Sequence, residues 1–302
     1  MNNKNYLFDN YINIARASKN ENNDLKALKF YKKAYDLPIG KKDIELLLDM
    51  ALLYDKIGLK EYAEKMYKEV LLIDKTYANA YYGLGVLYDE NEEYSKALKY
   101  YDKAIFYNNN YDKAYFFKAN ILDELGNKKE AILNYKKVLE INPKDLWAYA
   151  NIGCIYEELN ENEKAQYYLV KALELDNKEY KVLFNLGVVY NKLGKVKEAE
   201  DFYYKSLESN DKNPYAYLNL AVIYRDNNES EKALDILNKG IINTDEAFLY
   251  YHRGCLLVNL KKNEEGLKDI EKSIEINEFF YEYSKKDIDL KEIWHKIIKA
   301  SN

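Results

Sequence analysis

Residues 146–179 read LWAYANIGCIYEELNENEKAQYYLVKALELDNKE. Apolar residues recur at helical spacing on both sides of a polar break, Asn160-Glu161-Asn162, which predicts two helices joined by a tight turn. Segments of the same design follow one another along the chain with a period of 34 residues. A period of this length is typical of repeat proteins, in which stacked units bury a continuous core.

The period predicts eight units over residues 8–280. When the residues of each unit are numbered from 1 to 34, similar side chains fall at the same positions. Residues 1–7 form a lead segment, and residues 281–302 follow the last unit. The predicted units are 8–41, 44–77, 78–111, 112–145, 146–179, 180–213, 214–246 and 247–280.

Two positions of the unit hold only glycine or alanine. Helices approach closely only where no larger side chain projects between them, so we predict that the two helices of each unit touch at these positions. Tyrosine at position 11 of five units is expected to fill the adjacent space. Glycine at position 15 of three units predicts a left-handed cap after the first helix. Position 8 is Ala15, Ala51, Gly85, Ala119, Gly153, Gly187, Ala221 and Gly254; position 20 is Ala27, Ala63, Ala97, Ala131, Ala165, Ala199, Ala233 and Gly266; position 11 includes Tyr54, Tyr88, Tyr156, Tyr190 and Tyr224; position 15 includes Gly58, Gly126 and Gly194.

This set of small and aromatic positions resembles the tetratricopeptide repeat family. The resemblance covers residues 8–280 and implies an all-α fold, a right-handed superhelical solenoid of about eight helix-turn-helix units. It further implies that the first helices line a concave groove and that the second helices form a convex face. The first unit departs from the pattern at position 11, where it has Ser18.

The segment 281–302 leaves the register of the repeat. Its apolar residues fall at spacings of three and four residues, which describes one face of a helix. Because a repeat array must cover the apolar face of its last unit, we predict that this segment is a C-terminal capping helix. The apolar face comprises Leu290, Ile293, Trp294, Ile297 and Ile298.

The composition argues against several classes of function. A net charge of −5 with only three arginines disfavours nucleic-acid binding, and no apolar stretch reaches the length of a membrane span. Cys154 and Cys255 are far apart, which favours reduced thiols and a cytoplasmic location. His252 and His295 lie in separate parts of the chain, and no phosphate-binding glycine motif is present. We therefore expect a protein without enzyme activity, catalytic residues, cofactor or metal.

The positions that the resemblance assigns to the groove carry an asparagine ladder. Asn151, Asn185 and Asn219 all occupy position 6. A carboxamide both donates and accepts hydrogen bonds, so a row of them suits the backbone of an extended peptide. Similar ladders line some peptide-binding members of the family. The alternative explanation is the asparagine-rich composition of the chain.

An acidic stripe occupies positions 12 and 13, near the ends of the first helices. Carboxylates there oppose the helix dipole, which indicates a basic ligand rather than a contribution to stability. The alternative is a solvated network in which lysines such as Lys56, Lys96 and Lys129 pair with the acids. The stripe comprises Asp55, Asp89, Glu90, Asp123, Glu124, Glu157 and Glu158.

Aromatic residues at positions 2 and 5 are candidate anchors for a ligand. Rings that line a groove can form pockets for ligand side chains, although each ring can instead pack against the neighbouring unit. The candidates are Tyr82, Phe116, Trp147, Phe184, Tyr215 and Tyr251.

These features predict a non-enzymatic adaptor that binds an extended protein or peptide segment, with basic and apolar side chains, in the groove. The partner is expected to be a protein or peptide, and neither nucleic acid nor membrane. The alternative is an assembly scaffold or regulatory module that acts through the array ends or the convex face, with self-association left open.

Overall fold

The computed structural model describes residues 3–297, with side chains from Tyr6 onward. Over this range the chain forms 17 α-helices and three short 3-10 helices, without strands. It divides into two compact units, residues 1–148 and residues 149–302. None of the described helices is both long enough and apolar enough to cross a membrane.

The N-terminal unit consists of helices of 12 to 18 residues joined by short turns. A 3-10 helix, Gly40–Lys42, lies at the two-residue insertion after the first predicted repeat. The α-helices are α1 Asn3–Asn20, α2 Asp24–Tyr35, α3 Ile44–Lys56, α4 Lys60–Ile73, α5 Ala78–Asp89, α6 Tyr94–Tyr107, α7 Asp112–Glu124 and α8 Lys128–Ile141.

The C-terminal unit continues the same alternation, and the boundary between the two units falls within α9. Its α-helices are α9 Leu146–Glu158, α10 Asn162–Leu175, α11 Tyr180–Lys192, α12 Val196–Ser209, α13 Pro214–Asp226, α14 Ser230–Thr244, α15 Ala247–Asn259, α16 Asn263–Ile276 and α17 Phe279–Ser284. Two 3-10 helices, Ile288–Leu290 and Trp294–Lys296, follow.

Small residues mark the closest contacts between paired helices. A Cβ placed on Gly85 would lie 2.5 Å from the Tyr101 ring, and one placed on Gly187 would lie 2.5 Å from the Tyr203 ring. All seven alanines at position 20 are fully buried. The contacts therefore follow the prediction that positions 8 and 20 are where paired helices touch, because any added carbon would overlap the partner helix.

The rings that cover the small residues come from position 24, not from position 11. Four of the five position-11 rings instead stack on aromatic rings of the second helix, as in the Tyr88–Tyr100 pair, whose centroids are 5.4 Å apart. The prediction that the position-11 tyrosines fill the space beside the small residues was therefore wrong. The position-24 residues, all at most 4% exposed, are Tyr31, Tyr67, Tyr101, Tyr135, Leu169, Tyr203, Leu237 and Ile270.

A left-handed residue ends the first helix of every predicted unit. The expectation for the three glycines is confirmed, since each has a φ between 74° and 79°. Five residues other than glycine adopt the same conformation at position 15, and two of them, Glu92 and Lys261, carry long side chains that disfavour it. The five are Asn22, Glu92, Asn160, Asn228 and Lys261.

The segment after α16 is not the single capping helix predicted for 281–302. The Asp287 side chain accepts a hydrogen bond from the backbone N–H of Asp289 (3.0 Å), and the Asp287 carbonyl accepts one from the Trp294 indole (2.9 Å). Such local bonds compete with a continuous helix. Leu290, Ile293 and Ile297 are nevertheless buried in a cluster with Ile270 and Ile274 of α16, whereas Ile298 lies outside the described residues.

Candidate ligand-binding surface

In each of the two compact units, the predicted site residues belong to the first helices of the predicted repeats, and these helices are described as one surface for each compact unit. In the N-terminal unit this surface is formed by α1, α3, α5, α7 and the first turn of α9, and it is termed the N-terminal first-helix surface. In the C-terminal unit it is formed by the rest of α9 with α11, α13 and α15, and it is termed the C-terminal first-helix surface.

Two neighbouring pockets open on the N-terminal first-helix surface, and Tyr82 contributes to the wall of both. Each has a volume of about 330 Å³. The first, termed the Asp55 pocket, lies mainly between α3 and α5 and is lined by Leu48, Leu52, Asp55, Tyr82, Gly83 and Tyr111. The second, termed the Trp147 pocket, is lined by Tyr82, Asp112, Phe116, Phe117, Asp145 and Trp147.

The acids of the two pockets differ in whether their carboxylates already accept hydrogen bonds within the protein. Asp145 caps α9 by accepting a 2.8 Å hydrogen bond from the backbone N–H of Ala148, and Asp112 accepts one of 2.8 Å from the N–H of Lys113. These carboxylates of the Trp147 pocket are thus occupied by helix N-termini, where negative charge is favourable. The Trp147 pocket is therefore essentially an aromatic recess.

Some carboxylates of the acidic stripe are paired with lysines, and others are not. Lys60 lies 2.8 Å from Glu90, Lys128 lies 2.7 Å from Asp123, and Lys192 lies 2.5 Å from Glu157. Two other acids accept hydrogen bonds from tyrosine hydroxyls, Glu124 from Tyr94 at 2.7 Å and Asp89 from Tyr101 at 3.0 Å. Glu158, the last residue of α9, is exposed.

The lysines that pair with the stripe are not those anticipated from the sequence. Lys56 pairs with Asp24 at 2.8 Å, and Lys96 pairs with Glu93 at 2.5 Å. The solvated-network alternative therefore holds for part of the stripe, but through Lys60, Lys128 and Lys192.

Asp55 differs from the other acids of the stripe in the N-terminal unit. Among the described residues it forms neither an ion pair nor a hydrogen bond. Partial burial, with Glu90 nearby, raises the pKa of its carboxyl, and Lys60 opposes this only in part. The pKa of Asp89 is also raised by burial, although the hydroxyl of Tyr101 stabilises its ionised form.

The asparagine ladder is half-buried on the C-terminal first-helix surface. Asn185 donates a 3.0 Å hydrogen bond to the sulfur of Cys154, and Asn219 donates one of 3.1 Å to the hydroxyl of Tyr203. Each bond uses one amide hydrogen. Because a carboxamide has two N–H groups and a carbonyl oxygen, these two residues retain a donor and an acceptor.

The candidate aromatic anchors fall into two groups. Trp147 is 42% exposed and Tyr215 is 58% exposed. The Tyr215 ring stacks on Phe248 at 5.3 Å and contacts Phe184 at 6.4 Å, so these three rings form a row across α11, α13 and α15. Tyr82, Phe116 and Phe184 are half-buried and present only part of each ring.

Tyr251 is a correction to the predicted anchors, because it is only 2% exposed. Phe280 of α17 stacks on its ring at 5.0 Å, Tyr283 contacts it edge-on at 5.3 Å, and its hydroxyl donates to Asp287. Phe280, the last residue of the eighth predicted repeat, and the out-of-register segment after it together cover this ring. Tyr251 therefore belongs to the core beneath the cap and not to an exposed surface.

Sequence reasoning missed the tyrosines of position 24 as contributors to the surface. Their rings are buried, but three of their hydroxyls form hydrogen bonds to residues of the first helices. Tyr135 donates a 2.5 Å hydrogen bond to Asn120, and Tyr101 and Tyr203 bond to Asp89 and Asn219. The signal was present, because a tyrosine that recurs at a buried position needs a partner for its hydroxyl. Gly83 was also missed, although it replaces a side chain at the ladder position.

Family models described as tetratricopeptide repeat match the chain at residues 78–111, 112–145, 134–167, 180–213, 202–235 and 249–280. Together these matches span more than half of the chain. No curated protein matches it.

Solved structures share the fold. A structure titled "Crystal structure of MamA protein" is 30% identical, with a TM-score of 0.50, over 58% of this chain and 94% of that one. A structure of YrrB, titled "a TPR protein with an unusual peptide-binding site", is 22% identical, with a TM-score of 0.53, over 62% and 95%. A tetratricopeptide repeat protein from Parabacteroides merdae is 19% identical, with a TM-score of 0.61, over 83% and 97%.

The repeated family matches agree with the helix pairs and with the glycine and alanine contacts between them. Proteins built from this repeat generally serve as protein-interaction adaptors, and no catalytic family is indicated. The chain belongs to the tetratricopeptide repeat family.

Proposed function

We propose that the protein is a non-enzymatic adaptor that binds extended protein segments on its first-helix surfaces. The observation that carries the proposal is the hydrogen bonding of the Asn185 and Asn219 side chains. Each is held by a single hydrogen bond from one amide hydrogen, so its carboxamide is oriented and still has a donor and an acceptor. An oriented amide loses less freedom when it binds a peptide backbone, which favours affinity.

The surroundings of the ladder support a protein segment as the ligand. The exposed Tyr215 ring lies beside Asn219 in α13, so one helix offers both a backbone contact and an apolar side-chain contact. On the N-terminal unit, the Asp55 pocket and the Trp147 pocket would receive basic and apolar side chains. Cys154 and Cys255 are not joined in a disulfide, which supports a reducing compartment such as the cytoplasm as the place of action.

The test is selection of 12-residue peptides from a random phage-displayed library on the wild-type protein, followed by fluorescence anisotropy. Changing Asn151, Asn185 and Asn219 together to alanine should weaken binding of the selected peptides at least tenfold, because each net hydrogen bond contributes about 0.5–1.5 kcal/mol. A matched triple variant of exposed asparagines, Asn109, Asn177 and Asn259 to alanine, should bind like wild type. Peptides that bind all three proteins equally, with unchanged circular dichroism melting, would remove the ladder from the proposal.

A second candidate function, assembly through the second helices, is favoured by one observation. Leu72 of α4 and Phe106 of α6 occupy position 29 of successive repeats and are 80% and 79% exposed. Large exposed apolar side chains at equivalent positions are typical of interaction surfaces. If they mediate self-association, light scattering should show oligomers for wild type and monomers for a Leu72→Glu, Phe106→Glu variant. A monomeric wild type at high concentration would exclude this function.

A further inference from the structure

We infer that the Asp55 pocket binds one arginine side chain of the partner segment, with the guanidinium group on the Asp55 carboxylate and the alkyl stem on Leu48 and Leu52. The inference rests on the proposed function and adds the identity of one anchor residue. It follows from the charge of the pocket, its floor and its aromatic wall.

The charge of the pocket is not balanced among the residues that the structure describes. The charge of Lys60 lowers the pKa of Asp55, but its Nζ is committed to Glu90 at 2.8 Å and to Asn91 at 3.2 Å. Asp55 itself has no hydrogen-bond or ion-pair partner among residues 6–297. Partial burial and the proximity of Glu90 both disfavour its ionised form, and a bound cation would reverse both effects.

The other acids at position 12 do not share this state. Asp89 is hydrogen-bonded to Tyr101, Asp123 is paired with Lys128, and Glu157 is paired with Lys192. Asp55 is also the acid that lines a pocket between two successive first helices. The expected basic contact is therefore concentrated at one carboxylate and is not spread along the stripe.

The floor of the pocket is formed by the ring of Tyr67, which packs against Gly83 because that residue has no side chain. Position 6 carries asparagine, aspartate, phenylalanine or histidine in the other predicted repeats. A Cβ on Gly83 would overlap the Tyr67 ring, so the glycine lets that ring pack directly beneath the pocket. The pocket therefore has an aromatic floor, and no ladder side chain projects from position 83 into it.

The aromatic wall favours arginine over lysine. The rings of Tyr82 and Tyr111 have centroids 5.1 Å apart and are tilted by 32°, and both line the pocket. A planar guanidinium group can stack on such rings while it donates two hydrogen bonds to one carboxylate, which an ammonium group cannot do. The volume of about 330 Å³ accommodates one long side chain.

The test uses small probes, so it does not depend on an identified partner. Acetyl-arginine methylamide is titrated into the full-length ¹⁵N-labelled protein, alongside the citrulline analogue, which is neutral and nearly the same shape, and the lysine analogue. The arginine probe should shift the backbone amide signals of Leu52, Asp55 and Gly83 saturably, at least tenfold more tightly than the citrulline probe and threefold more tightly than the lysine probe.

Two variants test whether the arginine probe binds in the pocket or responds only to the negative charge of the protein surface. Asp55→Asn should remove the preference for arginine over citrulline, and Leu52→Lys, at a half-exposed position, should block the arginine probe by placing a cation over the pocket. Glu61→Gln, which removes an exposed acid of α4, should leave binding unchanged.

The inference is overturned if citrulline binds as tightly as arginine, if lysine does, if Asp55→Asn keeps the preference, or if the shifts lie elsewhere. Such a failure together with asparagine-dependent binding of library peptides would leave the proposed function standing. Arginine binding without asparagine-dependent peptide binding would leave the arginine pocket standing and remove the ladder from the proposed function.

Discussion

The hydroxyl of Tyr101, whose ring is fully buried, donates a 3.0 Å hydrogen bond to the carboxylate of Asp89 on the first-helix surface. The interior of the N-terminal unit thus orients an acid of the stripe. We expect Tyr101→Phe to lower the free energy of unfolding by about 1–2 kcal/mol at pH 7. The reason is that Asp89, with Glu90 and Glu124 nearby, would lose its donor while water replaces it only in part. Urea denaturation followed by circular dichroism measures the change.

Tyr67→Phe is the matched control for that experiment. Tyr67 occupies the same repeat position and is 4% exposed, but its hydroxyl has no hydrogen-bond partner among the described residues. Its removal should alter stability by less than about 0.5 kcal/mol. Equal losses for the two variants would show that removal of the hydroxyl itself, and not loss of its bond to Asp89, determines the effect.

Ala165 tests the steric basis of the fold. It is fully buried at position 20 of α10, where the sequence admits only alanine or glycine. We expect Ala165→Leu to destabilise the protein by about 1–3 kcal/mol, because the larger side chain must separate two closely packed helices. Differential scanning calorimetry gives the comparison, with Glu163→Leu on the exposed side of the same helix as control. A melting curve for Ala165→Leu that matches the control would contradict the assignment of position 20 as a contact.

The parts of the fold that the sequence predicts are those that depend on local rules. The restriction to glycine or alanine at positions 8 and 20 reflects a contact repeated in each helix pair, so a single chain contains many examples of it. The left-handed turn at Gly58, Gly126 and Gly194 is likewise a local property of the backbone.

The parts that the sequence does not predict depend on contacts outside the repeat. Tyr251 looks like its counterpart Tyr82, but Tyr283 and Asp287 of the out-of-register segment contact it. The isolation of Asp55 depends on Lys60 bonding to Glu90, a residue of the next predicted repeat. Neither pairing follows from the period, because both join residues that the repeat pattern treats as independent.

Glu92 offers a route to greater stability. It has a φ of 59° at position 15, a conformation that costs a residue with a side chain about 1–2 kcal/mol, whereas glycine adopts it freely. Since glycine also increases the entropy of the unfolded chain, we expect Glu92→Gly to raise the free energy of unfolding by about 0.5–1 kcal/mol. Chemical denaturation midpoints provide the measurement.

Two further variants test whether the change in charge explains the effect and whether the reverse type of substitution, from glycine, destabilises the protein. Lys261→Gly changes the opposite charge at the same left-handed position, with a φ of 65°, and should also stabilise. Gly126→Ala should destabilise by about 1 kcal/mol through backbone conformation alone, because the space around its Cβ is open. Stabilisation by Glu92→Gly without stabilisation by Lys261→Gly would assign the effect to charge.

The ionised carboxylate of Asp55 should lower the free energy of unfolding of the protein without ligand. Its pKa is raised above the ordinary value of 3.8, chiefly by burial, so ionisation of Asp55 is less favourable in the folded state than in the unfolded state. We expect Asp55→Asn to be more stable than wild type at pH 7, by less than about 1 kcal/mol because solvent still screens this partly buried group. The gain should be detectable as a higher urea midpoint.

The dependence on pH distinguishes this explanation from altered packing. The cost of the ionised carboxylate is present at every pH above the raised pKa of Asp55 in the folded protein. It shrinks as the pH falls through that value and vanishes below 3.8, where the carboxyl is protonated in both states. The advantage of Asp55→Asn should therefore decline on acidification, whereas Glu61→Gln should show no such advantage at pH 7. An advantage that is constant from pH 7 to pH 3.5 would mean that the asparagine packs better, and that Asp55 does not carry the unbalanced charge that attracts a cation.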